Sequence, residues 1–187
     1  MRKIVSHLLM TLDGVVKFDA ATIGAIQRLR GEEVEADFHA ALAREDAMLL
    51  GRVTYQEWAG YWPTSDHQPF ADHINGIPKH VASRSLREVR WGDAGNVALL
   101  DGDFAGAIRA LKREPGGNIG VHGSPGLVES LLHAGLLDEL RVELYPVLAG
   151  GDGRFFGSGP GRRLRLVGSR DTGEGVVILR YEPLDAA

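Results

Sequence analysis

Residues 119–132, IGVHGSPGLVESLL, pass from a strand pattern directly into a helix pattern. Ile119–Val121 is a β-type run, and the apolar residues of Leu127–Leu132 recur on one face of a helix. Between them, the small residues of His122–Gly126 allow a tight turn. We therefore predict a strand, a turn and a helix, which is the unit that builds an open α/β sheet.

The turn in this stretch has the composition of a phosphate site. Free backbone N–H groups and the helix dipole attract anions at a helix N-terminus. Gly123 and Gly126 have no Cβ that would keep a pyrophosphate from the main chain. Ser124 is expected to cap the helix, and Pro125 suits its first position. Taken alone, an ordinary strand-to-helix turn with a good cap also explains these residues.

Two more strand ends carry residues of the same kind. Asp46–Leu50 reads as a buried strand and runs into Gly51, Arg52 and Thr54 at the start of a helix. A third strand, Lys79–Ala82, ends at Ser83 and Arg84. Ligands of open α/β sheets bind beyond the carboxyl ends of the strands. Three such ends in one chain favour a site for a phosphorylated nucleotide.

Strand and helix patterns alternate until the C-terminal part, where strands follow one another. This order predicts an α/β domain over residues 1–187, with three layers (α/β/α) and a mixed, mostly parallel sheet whose C-terminal strands are antiparallel. A helix is predicted from Glu32 to Arg44. A loop is predicted from Val15 to Gly31, although Ile23, Ile26 and Leu29 could lie on a short helix within it. The predicted strands are Lys3–Thr11, Asp46–Leu50, Lys79–Ala82, Val97–Leu100, Asn118–Val121, Glu139–Leu148, Leu164–Ser169 and Val176–Tyr181.

Composition excludes several classes of function. The chain has 187 residues, a net charge of −4 and no cysteine, so disulfides, thiolate catalysis and cysteine-held zinc are excluded. No basic run exceeds two residues, which argues against nucleic-acid binding. No segment is long and apolar enough to cross a membrane, so a cytoplasmic protein is expected. The seven histidines show no metal-binding spacing, and we predict no metal.

Six short motifs occur in the order found in a known family. The chain resembles the dihydrofolate-reductase-like proteins, and most closely the branch that includes the reductase domain of riboflavin biosynthesis, the RibD C-terminal domain. The motifs are Thr11–Gly14, Leu50–Tyr55, Ser83–Leu86, His122–Ser124, Gly135–Leu140 and Pro146–Gly151. This resemblance implies a dihydrofolate-reductase-like fold that binds NADPH across its strand ends.

The resemblance also implies roles for the residues at the three strand ends. Gly51, Arg52 and Thr54 would face the phosphates, while Ser83 and Arg84 would meet the 2′-phosphate of the adenosine. The pyrophosphate would lie against the turn of the opening stretch, at Gly123, Ser124 and Gly126. Because arginine pairs well with phosphate, NADPH is expected to bind more tightly than NADH.

Two carboxylates are candidates for catalysis. Asp13 follows the first strand at the ligand end of the sheet, although Asp-Gly is also a common turn pair. Glu143 lies in the middle of a strand of apolar residues, where an outward-facing position would explain it as well. Tyr55, Trp58 and Trp62 could flank a flat heterocycle, but packing against the sheet is the favoured interpretation.

The resemblance implies an NADPH-dependent reductase of a small heterocyclic substrate, with reduction of a ribosylamino-uracil phosphate as the nearest named activity. The zinc motif of the deaminase that many family members carry is absent from these residues. The carboxylate that folate reductases use cannot be aligned, although Glu35 or Asp37 could replace it. A non-catalytic NADP-binding sensor and a cofactor-free interaction module are the alternatives. A homodimer is expected, because exposed sheet edges usually need covering.

Overall fold

A single sheet runs through the computed structural model, which describes residues 1–100, 102–155 and 161–184. Its eight strands are β1 (Ile4–Thr11), β2 (Glu45–Gly51), β3 (Lys79–Ala82), β4 (Val97–Leu100), β5 (Asn118–His122), β6 (Glu139–Tyr145), β7 (Leu164–Asp171) and β8 (Val177–Pro183).

The helices cover both faces of the sheet. In the described part of the chain they are α1 (Ala20–Leu29), α2 (Glu32–Leu42), α3 (Arg52–Ala59), α4 (Phe70–Gly76), α5 (Phe104–Arg113) and α6 (Pro125–His133), with a 3₁₀ turn at Trp62–Thr64. None of these helices is long and apolar enough to span a lipid bilayer.

The strand order is β4-β3-β2-β5-β1-β6-β8-β7. The first six strands of the chain pair in parallel, and β8 then pairs antiparallel with β6 and with β7. The predicted mixed sheet with antiparallel C-terminal strands is therefore confirmed. Because the parallel strands share one direction, the ends of β1, β2, β3 and β5 meet at the same edge, where α3 and α6 begin.

Alternating residues of the central strands pack on opposite faces. Ile119 and Val121 of β5 join the apolar core beneath α5 and α6, together with Leu131. His122 and the Gly120 backbone therefore belong to the other face, which α2 covers. That face is only partly apolar, and its polar side chains form part of the site described below.

Three boundaries differ from the sequence prediction. α1 occupies part of the segment predicted as a loop, where Ile23, Ile26 and Leu29 had allowed a short helix. The Asp19 carboxylate caps it by accepting from the Thr22 N–H at 2.8 Å. The helix predicted to Arg44 ends at Leu42, since β2 already begins at Glu45. β6 ends at Tyr145 rather than Leu148, because Pro146 has no N–H to continue the ladder.

Candidate active site

The N-termini of α3 and α6 meet at the carboxyl edge of the sheet. The hydroxyl groups of Thr54 and Ser124 form a hydrogen bond of 2.7 Å between the two helices. A Cβ at Gly51, which precedes α3, would overlap the Ser124 hydroxyl. Glycine at this position thus allows the two helix ends to approach, and both positive dipole ends point to one region.

Ser124 differs from the predicted cap in its geometry. It occupies the N-cap position of α6, but its side chain makes no capping hydrogen bond and its φ of 54° lies in the left-handed region. Such a conformation is costly for a residue with a side chain and is frequent at functional sites. The N–H of Ser124 has no hydrogen-bond partner among the described residues. This turn therefore keeps a backbone donor available for an anion.

A cavity of about 460 Å³ opens beside these helix ends, and we call it the helix-end cleft. Four of the residues predicted to bind the cofactor line it: Gly51, Ser83, Arg84 and Gly126. The exposed guanidinium group of Arg84 has no ion-pair partner in the part of the chain that the structure describes. The cleft thus combines helix N-termini with a free cation.

Two predicted cofactor residues have other contacts. The Ser83 hydroxyl accepts hydrogen bonds from the N–H groups of Ser85 and Leu86, which shapes the turn after β3. Arg52 is exposed and donates to the Gln56 side chain at 2.9 Å along its own helix. Since Arg52 is not part of the cleft wall, a phosphate contact would require its side chain to turn.

A second cavity of about 400 Å³ adjoins the turn before α6, and we call it the aromatic cavity. Gly123 and Pro125 form part of its wall. The Phe38 and Phe70 rings are 5.5 Å apart, and the Trp58 ring lies 5.8 Å from Phe70. Its remaining apolar wall includes Leu9, Phe18, Ile23 and Ile26.

A half-buried ion pair lines the aromatic cavity. Arg30 Nη1 donates to Glu143 Oε2 at 2.7 Å, and the same oxygen accepts from the Tyr145 hydroxyl at 2.8 Å. Arg30 also pairs with Glu35 and lies over the Phe38 ring, 5.0 Å from its centroid. Burial raises the pKa of Glu143 and outweighs the opposing effect of Arg30. Glu143 Oε1 has no hydrogen-bond partner among the described residues.

A polar cluster of His7, Glu45 and His122 borders the same cavity. The imidazoles of His7 and His122 stack at 4.5 Å with their planes 3° apart. His122 Nε2 forms a hydrogen bond of 2.6 Å with Glu45 Oε2, and His7 Nε2 lies 2.7 Å from Glu45 Oε1 without hydrogen-bond geometry. An added Cβ at Gly120 would overlap the Glu45 carboxylate, so glycine there makes room for it.

The titration of this cluster follows from its burial. Burial and the neighbouring His122 lower the pKa of His7 to about 4. Burial opposes ionisation of Glu45, but its contacts with His122 and His7 together lower its pKa to about 2. The three side chains offer ligand atoms within 4.8 Å of one another. Parallel stacked rings do not direct their in-plane lone pairs at one ion, so the arrangement favours a hydrogen-bonded cluster over a metal centre.

No local sequence pattern indicates this cluster. His7 and His122 are paired in the register of the parallel strands β1 and β5, although they are far apart in the chain. A search for histidines one helical turn apart does not detect such a pair. The buried Glu45 at the start of β2 and the glycine at position 120 would have been the signals to combine with a predicted strand order.

Asp13 lines neither of the two cavities, and its carboxylate is hydrogen-bonded to neighbouring groups of the chain. Its carboxylate accepts hydrogen bonds from Thr11 Oγ1 at 2.6 Å, from the Gly150 N–H at 2.7 Å and from the Ala149 N–H at 3.2 Å. The bond from Thr11 is the main reason that its pKa is lowered to about 2. In this geometry Asp13 holds the 149–150 loop, and its catalytic role stays a prediction.

The aromatic residues divide between the two predicted roles. The Tyr55 hydroxyl accepts from the Arg90 N–H at 2.7 Å, and its ring packs in the core, as favoured from the sequence. Trp62 packs against the same core. Trp58 both packs there and forms part of the aromatic cavity. Of the alternative carboxylates on α2, Glu35 pairs with Arg30 and Asp37 with Arg141.

Comparisons with known proteins agree with this architecture. The Bacillus subtilis protein YyaP, which is uncharacterised, is 24% identical over 185 residues, covering 96% of this chain and 94% of its own. A crystal structure of a Shewanella sp. PV-4 protein named for riboflavin biosynthesis has a TM-score of 0.79 at 20% identity, covering 98% of this chain and 99% of that one.

A bifunctional enzyme shares the fold over part of its length. The Thermotoga maritima diaminohydroxyphosphoribosylaminopyrimidine deaminase/5-amino-6-(5-phosphoribosylamino)uracil reductase has a TM-score of 0.67 at 15% identity, covering 98% of this chain and 57% of that one. The family model of the RibD C-terminal domain matches residues 2–178. The protein therefore belongs to the RibD C-terminal domain family and has its dihydrofolate-reductase-like fold.

Proposed function

We propose that the protein is an NADPH-dependent oxidoreductase that reduces a small heterocyclic substrate. The observation that carries this proposal is the pair of cavities that both include residues at the start of α6, Gly123 and Pro125 in one and Gly126 in the other. One has helix N-termini and the free cation of Arg84, and the other has aromatic walls and a carboxylate. A dinucleotide that spans the turn would have its charged part in the first cavity and its nicotinamide beside the second.

The residues of the helix-end cleft fit the phosphates of such a cofactor. The unpartnered N–H of Ser124 and the N-termini of α3 and α6 favour a pyrophosphate there. Gly51 and Gly126 leave the main chain accessible. Arg84, with Ser83 beside it, offers a cation for the additional phosphate that distinguishes NADPH from NADH. Thr54 supports the site through its hydrogen bond to Ser124.

The aromatic cavity would hold the ring that is reduced. Bound NADPH would supply the hydride. Glu143 Oε1 can accept an N–H of the substrate, and the raised pKa of this carboxyl group suits delivery of a proton to a ring nitrogen. The aromatic side chains exclude water from the reacting atoms. Reduction of a C=N bond then adds the hydride to carbon and the proton to nitrogen.

Arg84 provides the sharpest test of the cofactor assignment. A charge-assisted hydrogen bond contributes about 1.5 to 3 kcal/mol, so we expect Arg84→Ala to weaken NADPH binding by roughly 10- to 150-fold. The affinity for NADH, which has no 2′-phosphate, should change little. Dissociation constants for both nucleotides can be measured by isothermal titration calorimetry.

Arg87→Ala is the matched control, because Arg87 is also exposed and does not line the cleft. An equal loss for NADPH and NADH in Arg84→Ala would contradict the assignment. Failure of the unmodified protein to bind either nucleotide would favour a cofactor-free interaction module. NADPH binding without oxidation by any heterocycle tested would favour a sensor on the same fold.

A further inference from the structure

The charges at the aromatic cavity restrict what it can bind. Arg30 is the one arginine among the described residues that line it, and none of them is a lysine. Its guanidinium group lies between two carboxylates, those of Glu143 and Glu35, so one positive charge faces two acidic groups. The Phe38 ring covers the same guanidinium group. No unpaired positive charge remains in this wall for an anionic substrate.

The two histidines of the wall leave no unpaired positive charge, because His122 is hydrogen-bonded to the Glu45 carboxylate at 2.6 Å. His7 is held neutral at physiological pH, since its pKa is lowered to about 4. The Glu45 carboxylate lies directly behind His7 and His122 and adds negative charge. A phosphate inside this cavity would thus lose its hydration, meet carboxylates and gain no ion pair.

The shape and polarity of the wall favour a flat, uncharged ring instead. Phe38, Phe70 and Trp58 offer aromatic surfaces on which a heterocycle can stack. Glu143 Oε1 is an unused acceptor, and Gln27 offers an amide at the exposed mouth. One acceptor and one amide on an otherwise apolar wall suit a ring that carries both N–H and C=O groups.

We propose that the substrate of this site is an uncharged, unphosphorylated planar heterocycle whose N–H donates to Glu143. This inference rests on the proposed reductase function and deepens it. It separates the chain from the phosphorylated uracil in the name of the Thermotoga enzyme, although the two share a fold. The helix-end cleft, which has the free cation, remains the place for phosphates.

A matched pair of ligands tests the proposal. We would titrate the protein, saturated with NADP⁺, with 5-amino-6-(5-phosphoribosylamino)uracil and with the same compound lacking its phosphate, by isothermal titration calorimetry. Lumazine serves as a bicyclic probe without a sugar. We expect the dephosphorylated compound to bind at least tenfold more tightly than the phosphorylated one, and lumazine to bind in the same cavity. Equal or tighter binding of the phosphorylated compound would overturn the proposal, as would failure of all three to bind.

Glu143→Gln tests the contact and the charge together. The variant removes one acidic group and keeps the side-chain size. It should weaken the binding of lumazine by about tenfold and reduce the difference in affinity between the two uracil compounds. Glu57→Gln, at an exposed site on α3, is the control and should leave all three affinities unchanged.

NADPH affinity separates a failure of this proposal from a failure of the reductase assignment. Because the helix-end cleft does not include Glu143, NADPH binding by the unmodified protein tests the cofactor assignment independently of the substrate class. Should the variant fail to fold, the ligand pair on the unmodified protein still decides the outcome. NADPH binding together with tighter binding of the phosphorylated uracil would refute only the substrate class.

Discussion

Among single residues, Gly120 shows how a missing side chain can create a polar site. The Glu45 carboxylate occupies the space where a Cβ would stand, and from there it contacts His122 and His7. Because Gly120 has no side chain, the Glu45 carboxylate can pack directly against the backbone of β5. Gly120 lies within a strand and has no positive φ, so the backbone conformation does not require glycine there. The close packing of Glu45 does.

Gly120→Ala should therefore destabilise the protein. Overpacking of a filled interior costs about 1 to 3 kcal/mol, and here the displaced group is a buried carboxylate. The free energy of unfolding in urea measures the loss. Gly76→Ala is the control, because nothing lies within 4 Å of its added Cβ, and its effect should stay within about 1 kcal/mol. A Gly120→Ala protein as stable as the unmodified chain would contradict this account of Glu45.

For the secondary-structure elements, the junction of α3 and α6 combines two helix ends in one site. The hydroxyl–hydroxyl bond between Thr54 and Ser124 connects them, and Gly51 permits their approach. Ser124 uses its side chain for this connection rather than for capping its own helix. The geometry of the anion site consequently depends on a contact between two elements.

Thr54→Val removes this connection while keeping the side-chain shape. We expect a loss of about 0.5 to 1.5 kcal/mol in the free energy of unfolding, typical of one hydrogen bond. NADPH should also bind more weakly, because the Ser124 turn is less fixed. Urea denaturation and calorimetry measure the two effects. Thr64→Val, which removes an exposed hydroxyl at the 3₁₀ turn, should change neither quantity. Equal effects of the two variants would argue against the junction.

Sequence patterns predicted the elements better than the contacts between them. The starts of α3 and α6 could be predicted, because glycine, serine and proline determine a helix start through their immediate neighbours. The ion pair of Arg30 with Glu143 joins residues 113 positions apart, and it depends on where α1 lies over β6. The His7–Glu45–His122 cluster depends on the register of three strands. Such long-range register is not encoded in any local spacing.

For the whole molecule, buried ionisable groups couple stability to pH. His7 has its pKa lowered from 6.5 to about 4, and Glu45 from 4.5 to about 2. In both cases the unfolded chain binds protons at a higher pH than the folded chain does. Stability therefore increases with pH across both intervals.

Acidification should accordingly destabilise the protein in two steps. The contribution of His7 should be lost as the pH falls from 6.5 to about 4, and that of Glu45 as it falls from 4.5 to about 2. The free energy of unfolding, measured in urea at a series of pH values, should show both slopes. His7→Asn should flatten the first slope, whereas His67→Asn, at an exposed loop position, should not. If the stability of His7→Asn depends on pH as that of the unmodified protein does, His7 is not the cause of the first slope.

β4 and β7 are the edge strands of the sheet, and each pairs with a neighbour on one side only among the described residues. Leu166 and Val167 of β7 are exposed to 50% and 38%. Apolar side chains on an edge strand favour pairing with another chain. A homodimer, as predicted from the sequence, stays a prediction, and β7 is the edge through which we expect it to form.

The space shared by Gly120 and Glu45 also constrains how this chain can evolve. A side chain at position 120 is tolerated only after residue 45 has become shorter, whereas shortening residue 45 first leaves position 120 free to change. Substitution at position 120 first thus passes through a destabilised intermediate. Shortening residue 45 first avoids the steric overlap. The two sites are expected to be epistatic, so the double variant should be more stable than the sum of the single effects implies.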